Sequence, residues 1–564
     1  MTGRAVTRRE NTFSEARLTS AEKIKANMYQ TLNQSVARRV ITLGSPQHLR
    51  LGQVLSMPLS HQQAQTATTA AAAPAPQQAI KSWKEIPGPT DWPVLGAIPY
   101  FVQNVATKKL EAKTAHEFFM KQSDIFGPIW KMKIPGDPPI VLVSRPEDCE
   151  IMTRATMDNP QRPPMLSIES VRKNAVDNYF EGAASVFISN GEEWQRVRSH
   201  FQTPMMKPSN ITPFITAMDQ VTLEFTDRMA ALQEEHGELP SNFQNELYKW
   251  GLESVGLVAL NRRLGCLDPV PNSDALSSIT LVNRIFSLVD YLDMKNRMWR
   301  FLPFRIKKLK ELQQVYDEFV RLTDRNIQDT EASLMSKAKD TERELTLLEM
   351  FLLKPGVSRK EVVTMILDMF FAGIDTTSHT VAFAMYLLAR NPEVQARLQE
   401  EIDSVLVDNR RGELTAHHLA QLSYLKAVVR ETFRFFPLGL GFARTLDRDI
   451  VLCGYHVPKG TNVLAMNLSM GWDESLFPRA GEFLPERWLR HKPLGPIHPY
   501  ASLPFGAGTR MCIGRRIAEQ EMYIFLTRVM QRFNVDYKYE NINIEQRLVF
   551  MPSKPLRFNL TERY

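Results

Sequence analysis

The sequence predicts a mainly α fold with minor β, organised as a single large domain around one long central helix. Three observations predict it. Apolar residues recur at helical spacing through Ile211 to Glu235, Phe304 to Met335, Ser358 to Arg390, Pro392 to Val407 and Leu419 to Phe436. Strand-like runs are short and lie between turn signals, as in Pro139 to Ser144 and Ile450 to Leu468. From Val171 to the C-terminus no linker or internal repeat divides the chain, although its 564 residues exceed the usual size of one domain.

Composition supports a packed core: 43% of residues are hydrophobic and 23% charged. The four cysteines, Cys149, Cys266, Cys453 and Cys512, are too scattered for a disulfide scaffold and form no CxxC pair of zinc ligands, which fits a reducing compartment. The formal charge of +7 is not matched by a nucleic-acid recognition motif or a dense basic tract, so no nucleic-acid partner is expected.

Residues 1–60 differ from the rest. Arg4, Arg8, Arg9, Arg17, Lys23, Lys25, Arg38, Arg39 and Arg50 are opposed only by Glu10, Glu15 and Glu22, and Ile24, Met28, Leu32, Val36 and Val40 recur every fourth residue. A basic, amphipathic, Ser/Thr-rich leader of this kind reads as a mitochondrial transit peptide, with a poorly ordered basic tail as the alternative. No window near the N-terminus approaches the roughly 18 apolar residues of a membrane span, which disfavours a signal anchor. Residues 61–85 begin in "HQQAQTATTAAAAPAPQQA", a low-complexity linker. The proline-rich stretch from Ile86 to Phe101 then stiffens the start of the folded domain, residues 86–564.

The central helix has its own start and stop signals. Ser358 and Glu361 make a capping box and Asn391-Pro392 ends the run, giving about 32 residues, or roughly 48 Å. Asp368, Asp375 and His379 interrupt its apolar face and would each be costly in lipid, which argues for a buried helix over a membrane span. Its middle, "FFAGIDTTSHT", combines Gly373 with Thr376, whose hydroxyl is placed to bond the Ala372 carbonyl. A helix so built is expected to open locally beside an acid and an alcohol, Asp375 and Thr376, which together suit proton transfer to a small polar ligand. A packing glycine with threonines satisfied in the core is the alternative.

In "VVRETFRFFP", Glu431 and Arg434 share a helix face among apolar neighbours, and Arg487 in "PERW" offers a further donor. A buried structural lock is the favoured reading.

The chemistry concentrates in "FGAGTRMCIG", Phe505 to Gly514. Gly506, Gly508 and Gly514 permit close backbone approach to a flat ligand and leave amides free to point at the Cys512 sulfur. Amide donors and the start of a following helix stabilise a thiolate, and a thiolate is an axial ligand of haem iron. Arg510 is placed to meet a haem propionate.

With these residues in view the chain resembles the cytochrome P-450 superfamily of haem-thiolate monooxygenases. The pattern Phe-x-x-Gly-x-Arg-x-Cys-x-Gly is complete at 505–514, and the Glu431/Arg434 pair, the Asp375-Thr376 segment, "PERW" and the proline-rich start follow in the family's order, so that the resemblance covers roughly Ile86 to Tyr564. It implies the cytochrome P-450 fold, with heme b as cofactor and Cys512 as the proximal iron ligand. It also implies propionate contacts from Trp194, Arg198, Arg444 and Arg510, a proton-delivering pair in Asp375 and Thr376, and a structural triad of Glu431, Arg434 and Arg487. Phe370 and Phe371 are candidates for the pocket wall or for core packing.

About fifty residues follow Cys512 and no GxGxxG occurs there, so a separate protein is expected to supply electrons. Lys426, Arg430, Arg515 and Arg516 are similar to the positions with which mitochondrial members bind an adrenodoxin-like 2Fe-2S ferredoxin, itself served by a reductase; ordinary solvated charge is the bland alternative. Together with the leader they point to the animal mitochondrial branch, in which the chain most resembles an arthropod member, on the matrix side of the inner membrane with peripheral membrane contact. The implied reaction is hydroxylation of a lipophilic substrate, whether sterol, steroid, ecdysteroid or xenobiotic, with O₂. The rivals are an isomerase or dehydratase of the same fold, and a non-catalytic haem sensor or carrier.

Overall fold

A computed structural model describes residues 79–295, 306–337, 345–407, 411–491 and 493–563. The expected transit peptide and most of the expected linker lie outside the described residues.

The elements that position the site are nine helices and one small sheet. Helices α1 (Gly191–Met206), α2 (Ile215–His236), α3 (Phe243–Leu260), α4 (Ser273–Val289) and α5 (Ile306–Lys337) precede α6 (Arg359–Arg390), and α7 (Pro392–Val405), α8 (Ser423–Phe435) and α9 (Arg515–Arg532) follow it. Strands β1 (Ile129–Met132), β2 (Ile140–Val143), β3 (Phe442–Thr445) and β6 (Asn462–Ala465) form a sheet in the order β1-β2-β6-β3, and β4 (Ile450–Leu452) pairs with β5 (Tyr455–Val457) in a separate hairpin. The β2–β6 pairing is parallel, with Val141 opposite Val463, and β3 sets Arg444 against the same Val463. Helix is thus the main element and β the minor one, as expected.

The central helix α6 runs 32 residues between the anticipated signals. Ser358 N donates to Glu361 Oε2 at 2.9 Å while Glu361 N donates to Ser358 Oγ at 3.2 Å, and Asn391 Nδ2 closes the far end on the Leu387 carbonyl at 2.7 Å. It is buried along nearly its whole length, so its apolar face wraps all round and tertiary packing holds it. Among the described residues no helix is long and apolar enough to cross a membrane.

The expected local opening is absent: α6 continues through Gly373 without a break. Gly373 is a packing glycine. A Cβ there would stand 2.7 Å from Val255 on α3, and one at Gly251 would stand 2.8 Å from Ser378 Oγ on α6, so the two helices interlock through opposed glycines. Thr376 Oγ1 donates to the Ala372 carbonyl at 2.6 Å as anticipated, without disrupting the turn.

The single helix expected from Leu419 to Phe436 is two, Ala416–Gln421 and α8, parted at Leu422. The cause lies in α7: Glu401 accepts from the amides of Tyr424 at 2.7 Å and Leu425 at 2.9 Å, capping a fresh helix start. At the N-terminal edge, Lys81 already pairs with the β5 hairpin, its amide donating to Gly454 O at 2.9 Å.

Candidate active site

The cradle begins where β-like backbone turns sharply. Gly506 and Gly508 adopt φ of +70° and +71°, and a Cβ at Gly508 would fall 2.9 Å from Met157 Sδ and 3.1 Å from Thr153 Cγ2. Only glycine serves both demands at 508. The Cys512 amide donates to Phe505 O at 2.9 Å, closing the loop, and α9 starts three residues on with Gly514 as its N-cap.

Cys512 keeps some accessible surface, yet it is densely surrounded by protein. Burial pushes its thiol up, and against that act hydrogen bonds from the Gly514 and Arg515 amides and the positive charges of Arg162 and Arg198. Those opposing influences are what a thiolate ligand needs.

Around the cysteine stand Arg162, Arg198, Arg444 and Arg510. Burial, then mutual repulsion, holds Arg444 down to about 9 and Arg510 down to about 8. Burial likewise brings Arg198 to about 10. Among the described residues none of the four pairs with a carboxylate. Arg510 donates to the carbonyls of Pro160 at 3.0 Å and Ser189 at 2.6 Å and to Asn190 Oδ1 at 3.0 Å, and its Nε is buried and unpartnered. Arg444 Nη2 donates to Ala507 O at 2.9 Å, and Arg162 Nη2 to Arg510 O at 3.2 Å. Arg198 makes only neutral contacts, to Gln202 Oε1 at 2.9 Å and Met206 Sδ at 3.7 Å.

Buried guanidiniums without counter-charge are costly, and a bound dianion relieves the cost. The arrangement therefore fits a flat group bearing two carboxylates and a metal that takes a thiolate, which is haem. Trp194 contributes its ring: its Nε1 is committed to the Val186 carbonyl at 3.2 Å, while the guanidinium carbons of Arg510 and Arg198 lie 4.6 Å and 5.9 Å from the ring centroid. Arg162 was missed in the sequence because "NPQRPP" is an irregular loop with no register to place it.

On α6, Asp375 is 4% exposed and its Oδ1 has no partner. Burial lifts its carboxyl to about 7, with Arg547 pulling the other way. Glu521 on α9 is a second buried acid, lifted by burial to about 8; it accepts from Thr377 Oγ1 at 3.3 Å. The sequence reading passed over it, though its place in the series Ile517, Glu521, Ile524, Phe525 puts an acid on an apolar stripe. Phe371 stacks on Phe286 of α4 at 4.3 Å and meets Phe187 edge-on at 5.4 Å; Phe370 is buried in the core.

Beneath the site, Glu431 accepts five bonds: Arg434 Nε at 3.0 Å and Nη2 at 2.8 Å, Arg487 Nε at 2.9 Å, Trp488 Nε1 at 2.7 Å and the Leu484 amide at 3.0 Å. The two guanidiniums and the carboxylate are all but inaccessible. Arg434 also ties down the carbonyls of Gly471 and Ala480.

Arg430 on α8 and Arg515 and Arg516 on α9 converge on Tyr523, whose phenol feels all three charges. Arg430 and Arg516 are exposed, whereas Arg515 is held to Glu519 at 2.9 Å and the half-buried Lys426 donates to Ala420 O at 2.8 Å.

A cysteine held by amides beneath uncompensated arginines defines a haem-thiolate protein. Residues 86–560 match the family described as Cytochrome P450. The chain is 31% identical over 557 residues to probable cytochrome P450 49a1 of Drosophila melanogaster, covering 94% of this chain and 92% of that one. It is 34% identical over 438 residues to the mitochondrial probable cytochrome P450 12a5 of the same organism, covering 75% and 81%. With the mitochondrial 1,25-dihydroxyvitamin D(3) 24-hydroxylase of Rattus norvegicus it shares 32% over 456 residues, covering 80% and 83%. The chain belongs to the cytochrome P-450 family, and its relatives bear out the resemblance to the animal mitochondrial branch. It is a haem-dependent monooxygenase.

Proposed function

We propose that this enzyme hydroxylates a lipophilic substrate in mitochondria with electrons from an adrenodoxin-like 2Fe-2S ferredoxin, itself reduced by a partner reductase. The observation that carries the site assignment is the set of buried arginines without carboxylate partners around the amide-held Cys512. Cys512 serves as the iron ligand, and Phe505, Gly506 and Gly514 shape its loop. Arg162, Arg198, Arg444 and Arg510 balance the propionates, with Trp194 as the stacking surface between two of them.

Bound in this cradle with Cys512 as its thiolate ligand, haem would supply the oxygen-activating chemistry. The protein supplies protons, shape and charge. Asp375, lifted toward neutrality by burial, takes up and releases a proton at working pH, and the Thr376 hydroxyl one residue on receives it. The aromatic wall of Phe371, Phe286 and Phe187 excludes water and suits an apolar substrate. The mitochondrial names of several relatives, the basic leader and the basic patch of Arg430 and Arg516 support the ferredoxin assignment. Trp92, Val94, Leu95, Val102 and Val105, exposed together near the N-terminal edge, support peripheral contact with the inner membrane on its matrix side.

Reconstitution with a mitochondrial ferredoxin and its reductase, against a microsomal flavoprotein reductase, tests the reading. Reductant-dependent O₂ uptake with the first pair alone is expected. Uptake supported only by the flavoprotein overturns the ferredoxin assignment, and uptake with neither favours a sensor or an isomerase.

A further inference from the structure

A cleft of about 630 Å³ lies between the start of α3, α4 and the C-terminal segment around Arg547, and none of the residues gathered around Cys512 lines it. Gln244, Tyr248, Arg284 and Arg547 stand in its wall. Tyr248 reaches inward from it: its hydroxyl lies 2.8 Å from His379 Nε2, and the two rings meet edge-on at 5.7 Å. His379 sits on α6 one helical turn beyond Asp375, so their side chains are neighbours.

A core Tyr–His pair ordinarily closes all its hydrogen bonds. Here both ends are loosely tied. Asp375 Oδ1 is buried without a partner on the inner side, where His379 has the Phe550 backbone as its further hydrogen-bond partner, and on the cleft side the buried Gln244 amide faces the Tyr248 hydroxyl. Asp375 Oδ1 and the His379 ring stand on adjacent helical turns, a spacing that one bridging water spans.

We propose that Tyr248 and His379 form a proton relay from cleft water to Asp375. The proposal rests on Asp375 being the proton-delivering acid. In each passage the Tyr248 oxygen takes a proton from a hydronium ion in the cleft, leaving water, while its own passes to His379 Nε2. His379 Nδ1 releases its proton through the bridging water to the Asp375 carboxylate. Among the protein groups only the carboxylate changes its net charge, becoming the acid as the hydronium ion becomes water; the imidazole ends in its other tautomer and turns over before the next passage. The charged groups facing the chain are Arg547, which acts on Tyr248, His379 and Asp375, and Glu545, which holds Arg547 at 3.0 Å. Burial and the Arg547 charge depress His379 to about 3, which keeps the resting ring neutral and able to accept and donate at once.

The test uses the full-length, haem-loaded enzyme with electrons from a photoexcited ruthenium-bipyridyl sensitiser, so that no protein partner or substrate is needed. O₂ consumption is followed in H₂O and D₂O for wild type, Tyr248→Phe, His379→Gln and Asp375→Asn. General acid delivery is worth 10²-fold or more, so removing one relay member while solvent leakage persists is expected to slow consumption about ten-fold and enlarge the solvent isotope effect. In a second readout, the infrared carboxyl band that Asp375→Asn abolishes shifts on mixing with D₂O. Tyr248→Phe and His379→Gln are expected to slow that shift, a change that a packing role would not produce. Slowing by Asp375→Asn with wild-type behaviour of both other variants overturns the relay and leaves the acid intact. Wild-type behaviour of Asp375→Asn removes the acid and the relay with it. If Tyr248→Phe fails to fold, His379→Gln alone decides between these outcomes.

Discussion

Replacing Glu431 by glutamine keeps volume and shape but takes the counter-charge from two guanidiniums that solvent does not reach. The carboxylate accepts five hydrogen bonds, three of them from Arg434 and Arg487. A glutamine carbonyl in place of Oε1 retains at most the three bonds made there, and its amide turns donors toward donors. Breaking a buried ion pair from one side costs about 3–5 kcal/mol, a large share of the roughly 5–15 kcal/mol that separates folded from unfolded protein. The loss propagates, because Arg434 also fastens the Gly471 and Ala480 carbonyls, and its neighbour Phe433 packs edge-on against Phe505 of the cysteine loop at 5.2 Å. Urea unfolding of the haem-loaded protein, followed together by circular dichroism and Soret absorbance, reads it. The variant is expected to lose its Soret band at or before its helix signal, at a midpoint well below that of wild type. A stability loss under about 1 kcal/mol would refute the reasoning, since that is the size of an exposed pair.

Thr376→Ala removes the hydroxyl beside Asp375, so reductant consumption should persist while a smaller fraction of it yields product; unchanged coupling, measured as product per reductant, would count against the alcohol's role. Arg444→Ala and Arg510→Ala each take a guanidinium from the propionate-facing cluster, and haem transfer to apomyoglobin is expected to speed up about ten-fold, in keeping with a lost charge-assisted bond of about 1.5 kcal/mol. Burial lifts Asp375 to about 7 and Glu521 to about 8, above the usual carboxyl value near 4. The folded state thus holds protons that the unfolded chain has released, so their contribution to stability is complete below about pH 4 and is lost as pH rises toward 8. Melting temperatures across that window should decline less in Asp375→Asn than in wild type. Arg430→Glu with Arg516→Glu should raise the KM for ferredoxin and its salt sensitivity without moving the Soret band.

Features written in local chemistry were legible in the sequence. The capping box at Ser358 and the Asn391-Pro392 stop bound α6 because both act within a few residues. Glu431 and Arg434 share a helix face at i, i+3, and the glycine pattern around Cys512 imposes its own loop. What depended on distant residues was not legible. Leu422 breaks its helix because Glu401, on another helix, caps the next turn. Gly373 serves the approach of α3, which no reading of α6 alone reveals. Arg162 and Glu521 gain meaning only from where Arg510 and Thr377 come to rest, and the partner of His379 stands 131 residues away.

The most direct measurement is the carbon monoxide difference spectrum of the dithionite-reduced protein, wild type beside Cys512→Ser. A strongly red-shifted Soret band in wild type that disappears in the variant, with haem still bound, is expected from thiolate ligation through Cys512. An unshifted band in folded wild type, or a red-shifted band that survives the substitution, would contradict it.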